Sequence, residues 1–165
     1  MNIILVTEKE YIHQSRRIYI PESTENGIAR FDFKDLCDKP MGAGDYIVIC
    51  KYYHTIFIKN IPKMSLSQKV QAKRFIILVD TLYENKVKTI FLADSKPEEL
   101  FSHNPLLLQE DTSSHEILDA LGSKHGHTMF SGQEEIFQFA RAVSRLKEMQ
   151  SDAYLSANRA HVTQE

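Results

Sequence analysis

Cysteine is scarce in this chain. Cys37 and Cys50 are the only two among 165 residues, too few for a disulfide framework, and a reducing compartment is the expected setting. An excess charge of one sign is missing too. Lys+Arg number 20 against Asp+Glu 22, a formal net charge of -2, which argues against a nucleic-acid-coating protein and against an acidic tail. No apolar run approaches the roughly 20 residues that span a bilayer. The opening Asn2-Ile3-Ile4-Leu5-Val6-Thr7 is too short for a signal-peptide core and meets Glu8-Lys9-Glu10 at once. Nothing has the form Gly-x-x-x-x-Gly-Lys-Ser/Thr, so no P-loop for nucleotide phosphates is present. Cys-x-x-Cys and His-Glu-x-x-His spacings are absent as well, and with them the common zinc motifs. There is no repeat of solenoid period and no low-complexity stretch.

What remains is ordinary globular material, 42% hydrophobic and 25% charged. A chain of this length buries roughly 70% of its unfolded surface and needs no metal or disulfide to fold. The first third reads as short strands at Ile3–Val6, Arg17–Ile20 and Ala29–Phe33, with a reversing turn at Asn26-Gly27. Thr55-Ile56-Phe57-Ile58 and Thr89-Ile90-Phe91-Leu92 are continuous apolar runs. Between them lies a segment from Leu66 to about Asn85 without Gly or Pro, opened by the capping box Ser65-Leu66-Ser67-Gln68. Its second half, Phe75 to Val79, is apolar on every side. Strand, helix, strand of this kind predicts a parallel βαβ unit covered on both faces, with a right-handed crossover.

Ser95-Lys96-Pro97-Glu98 reads as a second box, opening a short helix to Phe101. Ser131-Gly132-Gln133-Glu134 caps a last helix to about Ala157, with Phe139, Val143, Leu146, Met149 and Ala153 as its apolar stripe. The expected fold is therefore α/β: a small antiparallel N-terminal β segment, a parallel βαβ unit with strands near 55–58 and 89–92, and a long C-terminal helix. One module is expected over 1–158, made of a β-rich start (1–36), the βαβ core (41–101), a polar irregular segment (102–132) and the helix (133–158). Residues 159–165 read as a tail.

Ligands in a parallel sheet collect beyond the carboxyl ends of the strands. That rule places Lys59, Asn60, Asp94 and Ser95 around one candidate crevice. Where P-loop ATPases carry a metal-positioning acidic pair, the matching strand here ends in Lys59-Asn60, so hydrolysis is not provided for. No catalytic residue and no metal ligand is assigned. Met41-Gly42-Ala43-Gly44-Asp45-Tyr46 reads as a helix entry rather than a phosphate loop, with Asp45 capping a helix from Tyr46. His103, His115, Glu116, His125 and His127 form a histidine-bearing stretch that reads as solvated loop, with metal binding as the alternative.

Several runs, taken in order, resemble one family. They are Ile28-Ala29-Arg30-Phe31-Asp32-Phe33-Lys34-Asp35-Leu36-Cys37, then Pro40-Met41-Gly42-Ala43-Gly44-Asp45-Tyr46, then Thr55-Ile56-Phe57-Ile58-Lys59-Asn60-Ile61-Pro62. Ala72-Lys73-Arg74-Phe75-Ile76-Ile77-Leu78-Val79-Asp80-Thr81-Leu82-Tyr83 and Arg141-Ala142-Val143-Ser144-Arg145-Leu146-Lys147-Glu148-Met149-Gln150-Ser151 complete the set. Together they resemble the C-terminal region of the ATPase-family-gene-one-like, or ZapE-type, P-loop ATPases of the AAA+ class, from about Arg16 to Leu155. Lys73 stands for a usual Arg, Met41 for Leu and Ala142 for Thr. No family pattern aligns over 102–132.

The resemblance implies that ATP and magnesium belong to a P-loop half not found in these residues, and that this module has no cofactor of its own. It also implies that the whole enzyme serves cell division in bacteria or mitochondrial protein quality control in eukaryotes, hence a cytoplasmic or mitochondrial location. Partners would be the P-loop half, neighbouring subunits, or a division or protease protein; nucleic acid and membrane spanning are not expected. Arg74, Arg141 and Arg145 are the candidates for a polar relay contact, since guanidinium suits phosphate and carboxylate. The alternative pairs Arg141 and Arg145 with Glu148 and Asp152 along one helix, and Arg74 with Asp80. Two other functions stay open: a freestanding non-catalytic interaction protein, and an enzyme built on the histidine stretch.

Overall fold

The structure, a computed structural model, describes residues 6–13, 15–64, 68–101 and 126–156. Strand β1 (Val6–His13) and strand β2 (Arg16–Ser23) pair antiparallel, turning at Ser15 with a φ of 64°. Of the strand expected at 3–6 only Val6 is among the described residues, and it belongs to β1, which takes in Glu8-Lys9-Glu10, as an edge strand can. Strand β3 (Ile28–Asp32) pairs antiparallel with β2 after a turn in which Gly27 adopts a φ of 78°. A Cβ there would stand 2.9 Å from the His54 ring, so glycine is required twice over.

From β3 onward the pairing changes sense. Strand β4 (Thr55–Ile61) runs parallel to β3, and strand β5 (Lys88–Ala93) parallel to β4, in the sheet order β1-β2-β3-β4-β5. Parallel neighbours need crossovers. Helices α1 (Phe33–Cys37) and α2 (Ala43–Tyr52) supply the first, and α3 (Lys69–Glu84) the second. The antiparallel segment and the parallel unit are thus one sheet, joined at β3.

Helix α3 buries Ala72, Phe75, Ile76, Leu78, Val79 and Leu82, a broad stripe at helical spacing that leaves Ile77 in solvent. Phe75 is fully buried, its ring centroid 5.8 Å from Phe33 and 6.3 Å from both Phe91 and Phe101. Against this layer stand Phe31, Ile56, Ile58 and Ile61 of the sheet. The two-sided cover expected of the strands is not found among the described residues. Burial alternates along them, leaving Phe57 39%, Ile90 46% and Leu92 65% exposed. Cys37 and Cys50 are buried and in no disulfide; burial pushes the Cys37 thiol well above its ordinary value.

The C-terminal helix is not continuous. Helix α4 (Gly126–Glu148) ends in a tight turn, with the Gln150 and Ser151 amides donating to Lys147 and Glu148 carbonyls. Helix α5 (Asp152–Ser156) then starts under the Ser151 hydroxyl, which accepts from the Tyr154 amide at 3.2 Å. The break resets the helical phase, so Tyr154 rather than the expected Ala153 is buried. Its hydroxyl lies 3.2 Å from both the Leu82 and Val87 carbonyls.

The short helix expected from Ser95 is a 3-10 turn, Pro97–Glu99, with Lys96 at its cap position because Pro97 fits the first helical site. Glu98 pairs with Lys147 of α4 at 2.7 Å. The Ser65-Leu66-Ser67 cap, most of the histidine stretch and the tail fall outside the described residues. No helix among the described residues is long and apolar enough to cross a membrane.

Phe75→Ala should cost about 3–5 kcal/mol, the range for large aromatics in cores. Urea unfolding followed by circular dichroism is the check, with a sharply lowered midpoint expected.

Candidate functional site

The carboxyl ends of β3 and β4 build a small polar crevice. In the parallel register Asp32 lies opposite Lys59. The ladder between β4 and β5 is interrupted between Ile58 and Ile61, which pushes Lys59 and Asn60 out of regular pairing. Asn60 adopts a φ of 58°, a left-handed conformation uncommon for a residue with a Cβ. Its amide Nδ2 donates to Asp32 Oδ2 at 2.6 Å, joining the two strand ends.

Asp32 also caps α1. Its Oδ1 accepts from the Lys34 amide at 3.2 Å, and its own amide donates to Asp35 Oδ2 at 3.0 Å. Partial desolvation would raise the Asp32 carboxyl. The Asn60 and Lys34 hydrogen bonds, with the charges of Lys59 and Lys34, outweigh this and hold it below its ordinary value. Asp32 therefore presents a carboxylate at neutral pH, fixed by an amide rather than free to swing.

The other predicted crevice residues divide. Asp94 follows the end of β5, its amide donating to the Ile61 carbonyl at 2.9 Å, so its backbone belongs to the same sheet end. Ser95 lines a separate cavity of about 230 Å³ with Phe75, Phe91, Pro97, Leu100, Leu146 and Gln150 among its walls. The Ser95 hydroxyl is buried there without a hydrogen-bond partner. Sequence reasoning passed over Asp32, although a carboxylate closing a strand and opening a helix is a legible cap signal.

The three arginines occupy two places. Arg74 Nη1 donates to the carbonyls of Cys37 and Asp38 at 2.9 and 3.1 Å, which caps the C-terminal end of α1. It does not pair with Asp80. Arg141 donates to Asp80 Oδ2 at 2.7 Å, while Arg145 binds Asp80 Oδ1 and, at 2.8 Å, Glu84 Oε1. The expected pairing along one helix is thus replaced by pairing across α3 and α4, because Asp80 and Glu84 present carboxylates one turn apart toward α4. The Arg145 guanidinium also lies 5.0 Å from the Tyr83 ring centroid. Glu148 beside the Tyr83 hydroxyl pushes that phenol above its ordinary value.

Asp45 sits inside the first turn of α2, accepting from the Gly42 amide at 2.9 Å, so the cap lies at Gly42 and the helix begins earlier than expected. Arg16 pairs with it at 3.2 Å.

A mixed sheet with parallel crossovers and a polar strand end defines an α/β module of the kind that carries ligands at its carboxyl edge. The pattern of the AFG1-like ATPase family matches residues 6–111, and the chain belongs to that family. It is 37% identical over 153 residues to Lactation elevated protein 1 homolog B of Danio rerio, covering 90% of this chain and 30% of that protein. An uncharacterized protein of Schizosaccharomyces pombe is 32% identical over 154 residues, covering 90% and 34%. Cell division protein ZapE of Escherichia coli strain K12 is 30% identical over 131 residues, covering 79% and 27%. The chain spans about a third of the length of these relatives. No solved structure matches it.

Two substitutions separate backbone from side chain at Asn60. Asn60→Ala loses the Asp32 bond and keeps a Cβ in the left-handed region, whereas Asn60→Gly loses the bond alone. The alanine variant should be less stable by about 1 kcal/mol, read from urea midpoints. In the helix clasp, Arg145→Ala should cost about 1–3 kcal/mol and the more exposed Arg141→Ala less than about 1 kcal/mol. Equal losses on thermal unfolding would show that the two arginines share the load.

Proposed function

We propose that the chain acts as the C-terminal module of an AFG1-like ATPase and does not hydrolyse ATP by itself. The observation that carries this reading is the absence of any P-loop sequence from residues 1–165 of a member of an ATPase family. The strand-end carboxylate and amide of Asp32 and Asn60, with Lys59 and Asp94, would face the nucleotide-binding half and answer to its occupancy. Arg141 and Arg145 would serve as the relay, because a carboxylate already shared by two guanidiniums can release one of them to a competing anion at modest cost. Arg74 holds α1 and has a supporting part. ATP and magnesium would enter only with the P-loop half.

The whole assembly would serve cell division, the process named for the Escherichia coli relative, or protein quality control. Its setting would be the bacterial cytoplasm or the mitochondrion. A freestanding binding protein for a division or protease partner is the second reading, favoured by an apolar sheet face on β4 and β5 that no element among the described residues covers.

Calorimetric titration of magnesium-ATP into the purified chain decides first. No heat of binding is expected. Saturable binding that Asn60→Ala weakens would make the crevice a nucleotide site in its own right and overturn the proposal.

A further inference from the structure

The parallel strands present a face that no described element covers. On it Phe57 of β4 stands opposite Ile90 of β5, and Leu92 lies two residues further along β5. Lone exposed apolar residues need no explanation, but a contiguous group on parallel strands does. Parallel sheets occur almost only where both faces are buried, because their strands are apolar on both sides. A lysine stands at each end of the patch, the one at β4's carboxyl end beside the Asp32 carboxylate of β3. Lys88 pairs in register with Thr55 at one end, and Lys59 lies four residues further along β4, about 13 Å away by strand rise. Towards β3, Arg30 is already engaged with Glu22.

We infer that this face seats an amphipathic helix from the part of an AFG1-like ATPase that lies outside these 165 residues. Its apolar stripe covers Phe57, Ile90 and Leu92, and acidic side chains about two and a half turns apart meet Lys88 and Lys59. The inference rests on the reading of the chain as a C-terminal module. The chain accounts for 27–34% of its relatives' lengths, so such a protein has ample polypeptide to form a second layer. A helix suits the site because the open surface is a sheet face, which helices cover in layered α/β folds. A second copy suits it less at the Lys88 end, where packing the face on itself in parallel would set Lys88 against Lys88.

The test co-produces the full chain with a tagged probe, the portion of Danio rerio Lactation elevated protein 1 homolog B outside its match. The unaltered chain should be retained on the tag. The double variant Ile90→Glu/Leu92→Glu should lose at least tenfold in retention. Lys59→Glu/Lys88→Glu should lose severalfold, and more at low salt than at high. Circular dichroism of each variant checks that it is folded; should the apolar variant unfold, the lysine pair carries the test by itself. Retention of folded variants at the unaltered level would overturn the inference and leave the module reading standing. Failure to retain the unaltered chain would overturn both. A dimer of the chain alone, seen by light scattering and broken by Ile90→Glu/Leu92→Glu, would reassign the face to a second copy and overturn the inference too.

Discussion

The burial of α3 against β4 is the constraint on which the other features hang. Parallel pairing of β3, β4 and β5 is possible only because crossovers return the chain to the same sheet end, and α3 is the crossover with the most apolar surface to hide. Phe75 reaches α1 through Phe33, β5 through Phe91 and the segment after the 3-10 turn through Phe101. One side chain thus ties α1 and the segment after the 3-10 turn to the sheet through β5. The polar side of the same helix then receives α4, so the position of the arginine clasp is a consequence of the apolar packing beneath it.

That clasp is also where electrostatics and packing meet. Asp80 is only partly exposed and carries two arginines, while Glu84 one turn on takes a second contact from Arg145. Lys86 lies over the rings of both Tyr83 and Tyr154, 4.6 and 5.0 Å from their centroids, and those rings stack on each other. Charge and aromatic surface therefore interleave between the end of α3 and the end of α4. A mixed network of this kind confers geometry more than raw stability, since each charge must be partnered once it leaves water.

Much of this was legible in the sequence, and the rest fails for identifiable reasons. Apolar runs at 55–58 and 89–92 marked the parallel strands, and Asn26-Gly27 marked the turn before β3. Periodicity could not reveal that β3 serves both an antiparallel and a parallel partner, because that depends on long-range pairing. Nor could it reveal that the described residues cover the sheet on one side: a continuous apolar run reads as buried on both faces even where alternate residues are partly exposed, as at Phe57 and Ile90. The rephasing after Met149 leaves no mark on the apolar pattern, because a stripe of five apolar residues runs on through Ala153 at helical spacing. At the candidate site, the strand-end rule named Lys59, Asn60 and Asp94, whose backbones lie at one sheet end. It could not tell that Ser95 turns into a different cavity, or that Arg141 and Arg145 find carboxylates on another helix.

The two buried cysteines give the molecule a built-in gauge. Cys37 ends α1 and Cys50 lies near the end of α2, both sealed from solvent, and desolvation keeps the Cys37 thiol protonated. A thiol reagent can reach either of them only when the layer above opens. The rate at which an unmodified preparation takes up such a reagent therefore measures how often the α1–α2 layer lifts from the sheet, with no label introduced.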